Sequence, residues 1–92
     1  MHIVGTFRIT TLHYIMQTHI QIKLFASLKK FMPANAENYA IETGTPVRKL
    51  LQQLDIPEDK IKIVFIDGVR GDLTSTLKGE ERVGIFPPVG GG

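Results

Sequence analysis

The sequence predicts an α+β domain in which one main helix packs on a mixed sheet of about five strands. Three observations carry that prediction. Residues 45–57 hold apolar side chains at helical spacing between breakers. Several other short stretches alternate apolar and polar residues with the period of two expected of a strand. The helix falls after the second of these stretches, with three more behind it.

In chain order, "THIQIKLF" comes first: Ile20, Ile22 and Leu24 alternate with His19, Gln21 and Lys23, a strand with one buried face. "ASLKKFMP" sets Leu28, Phe31 and Met32 at helical spacing before Pro33, so a short helix or turn with these three in the core is expected. "NYAIETG" offers Tyr39 and Ile41 as a second strand. In "TPVRKLLQQLDIP", Val47, Leu50, Leu51 and Leu54 share one helix face. The Thr45 hydroxyl is placed to cap that helix, and Pro46 suits its first position. Pro57 blocks continuation and biases Ile56 away from helical geometry, which sets the helix at residues 46–55.

After the helix, "KIKIVFIDG" has the β-branched and aromatic content of an interior strand. Asp67-Gly68 is a favoured two-residue hairpin turn, and "VRGDL" reads as the short return strand. "STLKGEE" carries Leu77 inward and turns at Lys78-Gly79. "RVGIF" alternates Val83 and Ile85 with Gly84 and Phe86 before Pro87-Pro88. The order is strand, strand, helix, strand, strand, strand. With the last strand parallel to the first at the centre, this is the β-grasp arrangement.

Composition narrows the function. The 92 residues carry 11 basic and 9 acidic side chains, a net charge of +2. So small and scattered an excess makes no nucleic-acid footprint. No cysteine is present, which removes disulfides, thiolate zinc sites and thiol nucleophiles, and fits a cytoplasmic protein. Apolar runs fall short of the ~20 residues a membrane span needs. The opening "MHIVGTFRITTLHYIM" lacks the basic-then-apolar layout of a secretory signal. Residues 1–17 read as an extension, because the strand count is complete without them and Met16 stands as an alternative natural start. Residues 18–87 then form the domain and 88–92 a tail.

Catalytic and metal motifs are missing. His2, His13 and His19 share no spacing with one another or with a carboxylate that would build a metal site. Arg70-Gly71-Asp72 reads as a turn with a surface ion pair. No phosphate-binding loop and no nucleophile-base pair occurs. These observations point away from an independent enzyme.

The end of the chain, "FPPVGGG", is the distinctive stretch. Phe86 is expected to anchor the last strand in the core. Pro87 and Pro88 stiffen the backbone and end the ladder. Val89 offers one small apolar grip, and Gly90, Gly91 and Gly92 present backbone alone. Five extended residues reach ~17 Å at most, enough to enter a narrow channel where side chains would collide with the walls. Such an end suits a carboxylate delivered to another protein's active site.

The helix "TPVRKLLQQL", the Leu77-x-Gly79-Glu80-Glu81-x-Val83 approach and the "FPPVGGG" end resemble the MoaD/ThiS sulfur carriers, bacterial and archaeal relatives of ubiquitin. The resemblance covers residues 18–92 and is nearest to MoaD, the small subunit of molybdopterin synthase. Glycine at residue 90 is shared with many thiamine-type carriers. The resemblance implies a ubiquitin-like β-grasp fold and a division of roles. A MoeB/ThiF-type adenylating enzyme, using ATP and magnesium, would activate the Gly92 carboxylate. Sulfur from a persulfide donor would then displace AMP and leave a thiocarboxylate. A MoaE-type large subunit of molybdopterin synthase would receive the tail, with Phe86, Pro87, Pro88 and Val89 as its base and Gly90 and Gly91 as its slender part. Thiamine or other thiometabolite synthesis, and ubiquitin-like attachment of Gly92 to lysines, remain alternatives.

Overall fold

Alternation in the first strand, β1 (Gln17–Leu24), is realised as expected: Ile20, Ile22 and Leu24 are buried, while His19 and Lys23 are exposed. The computed structural model describes residues 16–88. The segment 1–15, with His2 and His13, and the residues Val89, Gly90, Gly91 and Gly92 lie outside the described residues. A 3-10 helix (Ala26–Phe31) follows β1 and buries Leu28. Met32, expected in the core, is 41% exposed. Its backbone is already extended as it closes the 3-10 helix, so helical spacing no longer decides where its side chain points.

The second strand, β2 (Tyr39–Glu42), pairs antiparallel with β1. Next come β3 (Thr45–Pro46) and the helix α1 (Val47–Gln53). The chain continues through β4 (Ile63–Ile66), β5 (Val69–Gly71), β6 (Thr76–Leu77) and β7 (Arg82–Phe86). The main sheet has the order β2-β1-β7-β4-β5, and β3 and β6 form a separate antiparallel pair. The last strand runs parallel to the first, in register Gln21–Arg82 to Leu24–Ile85, at the centre of the sheet. This is the β-grasp topology.

The hairpin between β4 and β5 turns at Asp67 (φ 52°) and Gly68 (φ 80°), the left-handed pair that a two-residue turn of matching twist requires. Asp67 also ties this turn to β7. Its N–H donates to the Arg82 carbonyl at 2.8 Å, and its Oδ1 accepts from the Arg82 N–H at 2.9 Å.

Three details of the helix differ from the sequence expectation. Pro46 does not open it but precedes it, extended, in β3. Thr45 does not cap it: its hydroxyl donates to the Glu42 carbonyl at 2.6 Å, because Thr45 is held in β3 opposite Leu77. The first free N–H groups of the helix turn instead to a neighbouring loop. Val47 donates to the Ser75 carbonyl and Arg48 to the Leu73 carbonyl, each at 2.9 Å. That loop is shaped by Asp72, whose Oδ1 accepts from the Thr74 N–H (2.8 Å), the Thr74 hydroxyl (2.7 Å) and the Ser75 N–H (3.1 Å). Asp72 is thus committed to its own turn, and the surface ion pair expected with Arg70 is not formed among the described residues.

At its other end the helix stops at Gln53 rather than residue 55. Asp55 enters the left-handed region (φ 61°), and the Ile56 N–H reaches back to the Leu51 carbonyl at 2.9 Å, a closing pattern that satisfies orphan carbonyls. Val47, Leu50 and Leu51 are fully buried against Ile20, Leu28, Leu77, Val83 and Ile85. Burying each such side chain stabilises the fold by about 1.5–3 kcal/mol. No helix among the described residues is long and apolar enough to cross a membrane.

Candidate functional site

The tail leaves the sheet from its middle strand, and the residues that root it follow from strand alternation. Val83 and Ile85 point to the helix and are fully buried. The period of two therefore sends Gly84 and Phe86 to the opposite, outer face. Phe86 was expected in the core, and the structure corrects this. It is half-buried on the outer face, its ring lying on that of Phe25 with centroids 4.1 Å apart and planes 3° from parallel. Phe65 meets Phe86 edge-on, with centroids 5.9 Å apart at 87°. Pro87 is half-buried and Pro88 exposed. The ladder ends at the Phe86 carbonyl, which accepts from the Lys62 N–H at 2.8 Å.

The aromatic trio brings together three segments: Phe25 just beyond β1, Phe65 in β4 and Phe86 at the end of β7. Sequence reasoning found Phe86 as a tail residue but missed Phe25, Phe65 and Gly84. The available signal was the phase of each strand. Phe65 is out of step with buried Val64, and Gly84 with Val83 and Ile85.

The Leu77–Val83 approach holds the start of β7. Leu77 is fully buried. The Glu81 carboxylate accepts from the backbone N–H groups of Lys78 and Gly79, at 2.7 Å each. Gly79 adopts φ 144°, and a Cβ there would run into the Thr18 side chain. The acidic and glycine positions of this motif thus shape a tight turn under β1. Among the described residues, Asp72 is the one ionisable group with a clear shift: the Thr74 hydroxyl and N–H, followed by the Ser75 groups, hold its carboxyl below the usual carboxylate range. No group of His, Asp or Glu able to hold a metal ion occurs among the described residues. His19, exposed on β1, stands apart from any such cluster.

A central parallel pairing of first and last strands, one helix across the inner face and an end emerging from the middle strand define a ubiquitin-like β-grasp domain of the carrier and modifier type. The ThiS family model matches residues 22–92, and the chain belongs to that family. Solved structures repeat the fold. The HVO 2177 protein of Haloferax volcanii is 18% identical with a TM-score of 0.64, over 83% of this chain and 88% of that one. A putative molybdopterin converting factor, subunit 1, from Pyrococcus furiosus is 24% identical with a TM-score of 0.55, over 78% and 99%. The small archaeal modifier protein 1 of H. volcanii is 22% identical with a TM-score of 0.56, over 78% and 99%. Among curated protein sequences, none matches the chain.

Proposed function

We propose that this protein is a sulfur carrier for molybdopterin synthesis, working through the carboxylate of Gly92. The observation that supports the carrier reading most directly is the family match, which runs through the β7 strand and the glycine end to residue 92, and the likeness to a putative molybdopterin converting factor, subunit 1, favours the molybdopterin pathway. A carboxylate is a poor acyl donor until it carries a good leaving group. A carboxylate oxygen would attack the α-phosphorus of magnesium-bound ATP on a MoeB/ThiF-type partner, and pyrophosphate would leave. The terminal sulfur of a donor persulfide would then add to the carbonyl carbon and expel AMP, and a second thiol attacking the donor's own sulfur in the resulting acyl disulfide would form a disulfide on the donor side and release the terminal thiocarboxylate. A MoaE-type large subunit would take the sulfur. ATP and magnesium belong to the activating partner in this reading.

The body acts as the grip and the tail as the reach. Phe86 is clamped between two aromatic rings, so Pro87 and Pro88 project from a fixed point, and Val89 to Gly92 carry the reactive end. Incubation with the adenylating partner, ATP, magnesium and a sulfur donor is expected to raise the mass of the chain by the difference between sulfur and oxygen. Deletion of Gly92 is expected to abolish that rise while leaving the fold intact. A wild-type chain whose mass stays constant beside an active partner overturns the carrier reading.

A second use of the same end is raised by the likeness to the small archaeal modifier protein. Gly92 found in isopeptide linkage to lysines of other proteins would establish it.

A further inference from the structure

Among the described residues, four other than glycine hold a positive φ: Ala26 (53°), Asp55 (61°), Asp67 (52°) and Glu80 (67°). Three have a local reason. Asp55 and Asp67 carry the short polar side chain that tolerates the left-handed region. Glu80 follows Gly79 in the turn that the Glu81 carboxylate ties down. Ala26 has no such reason. Its side chain is a methyl group exposed to solvent, so core packing does not account for a backbone conformation that costs free energy.

The neighbours of Ala26 show what this conformation holds. Phe25 is extended, and its N–H donates to the Ile85 carbonyl at 3.1 Å, which continues the β1–β7 ladder. The Phe25 carbonyl accepts from the Leu28 N–H at 3.0 Å, and Leu28 is buried. The chain must therefore leave the sheet and enter the core across Ala26 and Ser27 alone. Ala26 takes the first central place of this four-residue turn, where a positive φ is mostly the work of glycine, asparagine or aspartate. Glycine would adopt the angle without strain but would admit many others. A Cβ narrows the choice, and the residue it steadies is the one whose ring lies on Phe86, 4.1 Å between centroids.

We infer that Ala26 is a positioning residue for the tail: by keeping the Phe25–Leu28 turn in one backbone conformation, it holds the Phe25 ring on Phe86 and so fixes the direction in which Pro87 leaves the sheet. The functional half of this inference rests on the carrier reading. A tail root that samples several directions presents Gly92 to an acceptor site for only part of the time, and apparent affinity falls by that fraction.

Ala26→Gly separates positioning from packing, because it relieves the strain while loosening the turn. Its melting temperature is expected to equal or exceed that of the wild type. In the isotope-labelled full chain, nuclear Overhauser contacts between the Phe25 and Phe86 rings should weaken and the order parameter of the Phe86 N–H should fall. ATP–pyrophosphate exchange by a MoeB/ThiF-type adenylating enzyme with magnesium should show a KM for the chain raised about threefold, as a competent fraction of about one-third requires, with kcat unchanged. Ala26→Asn tolerates the left-handed region and still restricts the turn, so it should keep the wild-type ring contacts and KM. A lower melting temperature or failure to fold in Ala26→Gly would make Ala26 a structural residue and overturn the inference. Wild-type ring contacts or a wild-type KM in Ala26→Gly, or loss of either in Ala26→Asn, would overturn it equally. Absence of exchange with the wild-type chain beside an active partner counts against the carrier reading; the ring contacts and Phe86 order then decide on Ala26 by themselves.

Discussion

The Phe86 ring lies parallel to that of Phe25, 4.1 Å between centroids, so the residue at the root of the tail is fastened to the residue just beyond the first strand. Parallel pairing of β1 and β7 brings their C-terminal ends together, and the ring stack closes the join. The tail therefore starts from a fixed point on the sheet.

Phe86→Ala removes both the stack with Phe25 and the edge contact with Phe65. Aromatic pairs contribute about 0.5–1.5 kcal/mol beyond the area they bury, so urea denaturation should show a folded but weakened domain. Thiocarboxylate formation by mass spectrometry should fall by more than the loss of folded protein explains. A change in stability alone, with transfer intact, would leave Phe86 as a packing residue only.

Gly79→Ala places a Cβ against Thr18 at a backbone angle, φ 144°, that side chains seldom adopt. Conformations of that kind cost about 1–3 kcal/mol, and thermal melting should fall accordingly. Adding Thr18→Ala relieves the collision but not the backbone strain, so the double variant should recover only part of the loss. Full recovery would show that the clash alone requires glycine.

Leu50→Ala opens a cavity beneath the sheet, since Leu50 is fully buried among the residues that the helix covers. A loss of about 2–5 kcal/mol is expected, read as a lower denaturant midpoint with an unchanged slope. Lys49→Ala, on the exposed side of the same turn, should stay within about 0.5 kcal/mol.

The pH dependence turns on Asp72. Its folded pKa is depressed, first by the Thr74 hydroxyl and then by the backbone groups of the turn. The stability it contributes is therefore present above the ordinary aspartate value of about 3.9 and is lost as pH falls through the lower folded value. The melting-temperature difference between wild type and Asp72→Asn should be largest near neutrality and shrink under acid. A difference constant across pH would mean that ionisation of Asp72 adds nothing to stability, and would contradict the lowered folded pKa.

Element type and burial were largely legible in the sequence because one period repeats in each segment. Ile20, Ile22 and Leu24, or Val47, Leu50 and Leu51, each have a single face to hide. Asp67-Gly68 announces its own turn. What escaped depends on contacts between distant segments. The helix is capped by carbonyls of Leu73 and Ser75, some 25 residues downstream, and local propensity assigned that role to Thr45. Phe86 sits on the outer face rather than in the core, because the alternation set by buried Val83 and Ile85 turns residue 86 outward. The Phe25–Phe65–Phe86 cluster appears only once the strand order is known.

Placing β7 between β1 and β4 also has a consequence for biosynthesis. Ribosomes make β7 after every other strand, so the sheet cannot close until the polypeptide has been translated through Phe86. A product that ends before β7 lacks the strand that joins β1 to β4, so the two halves of the sheet have no ladder between them.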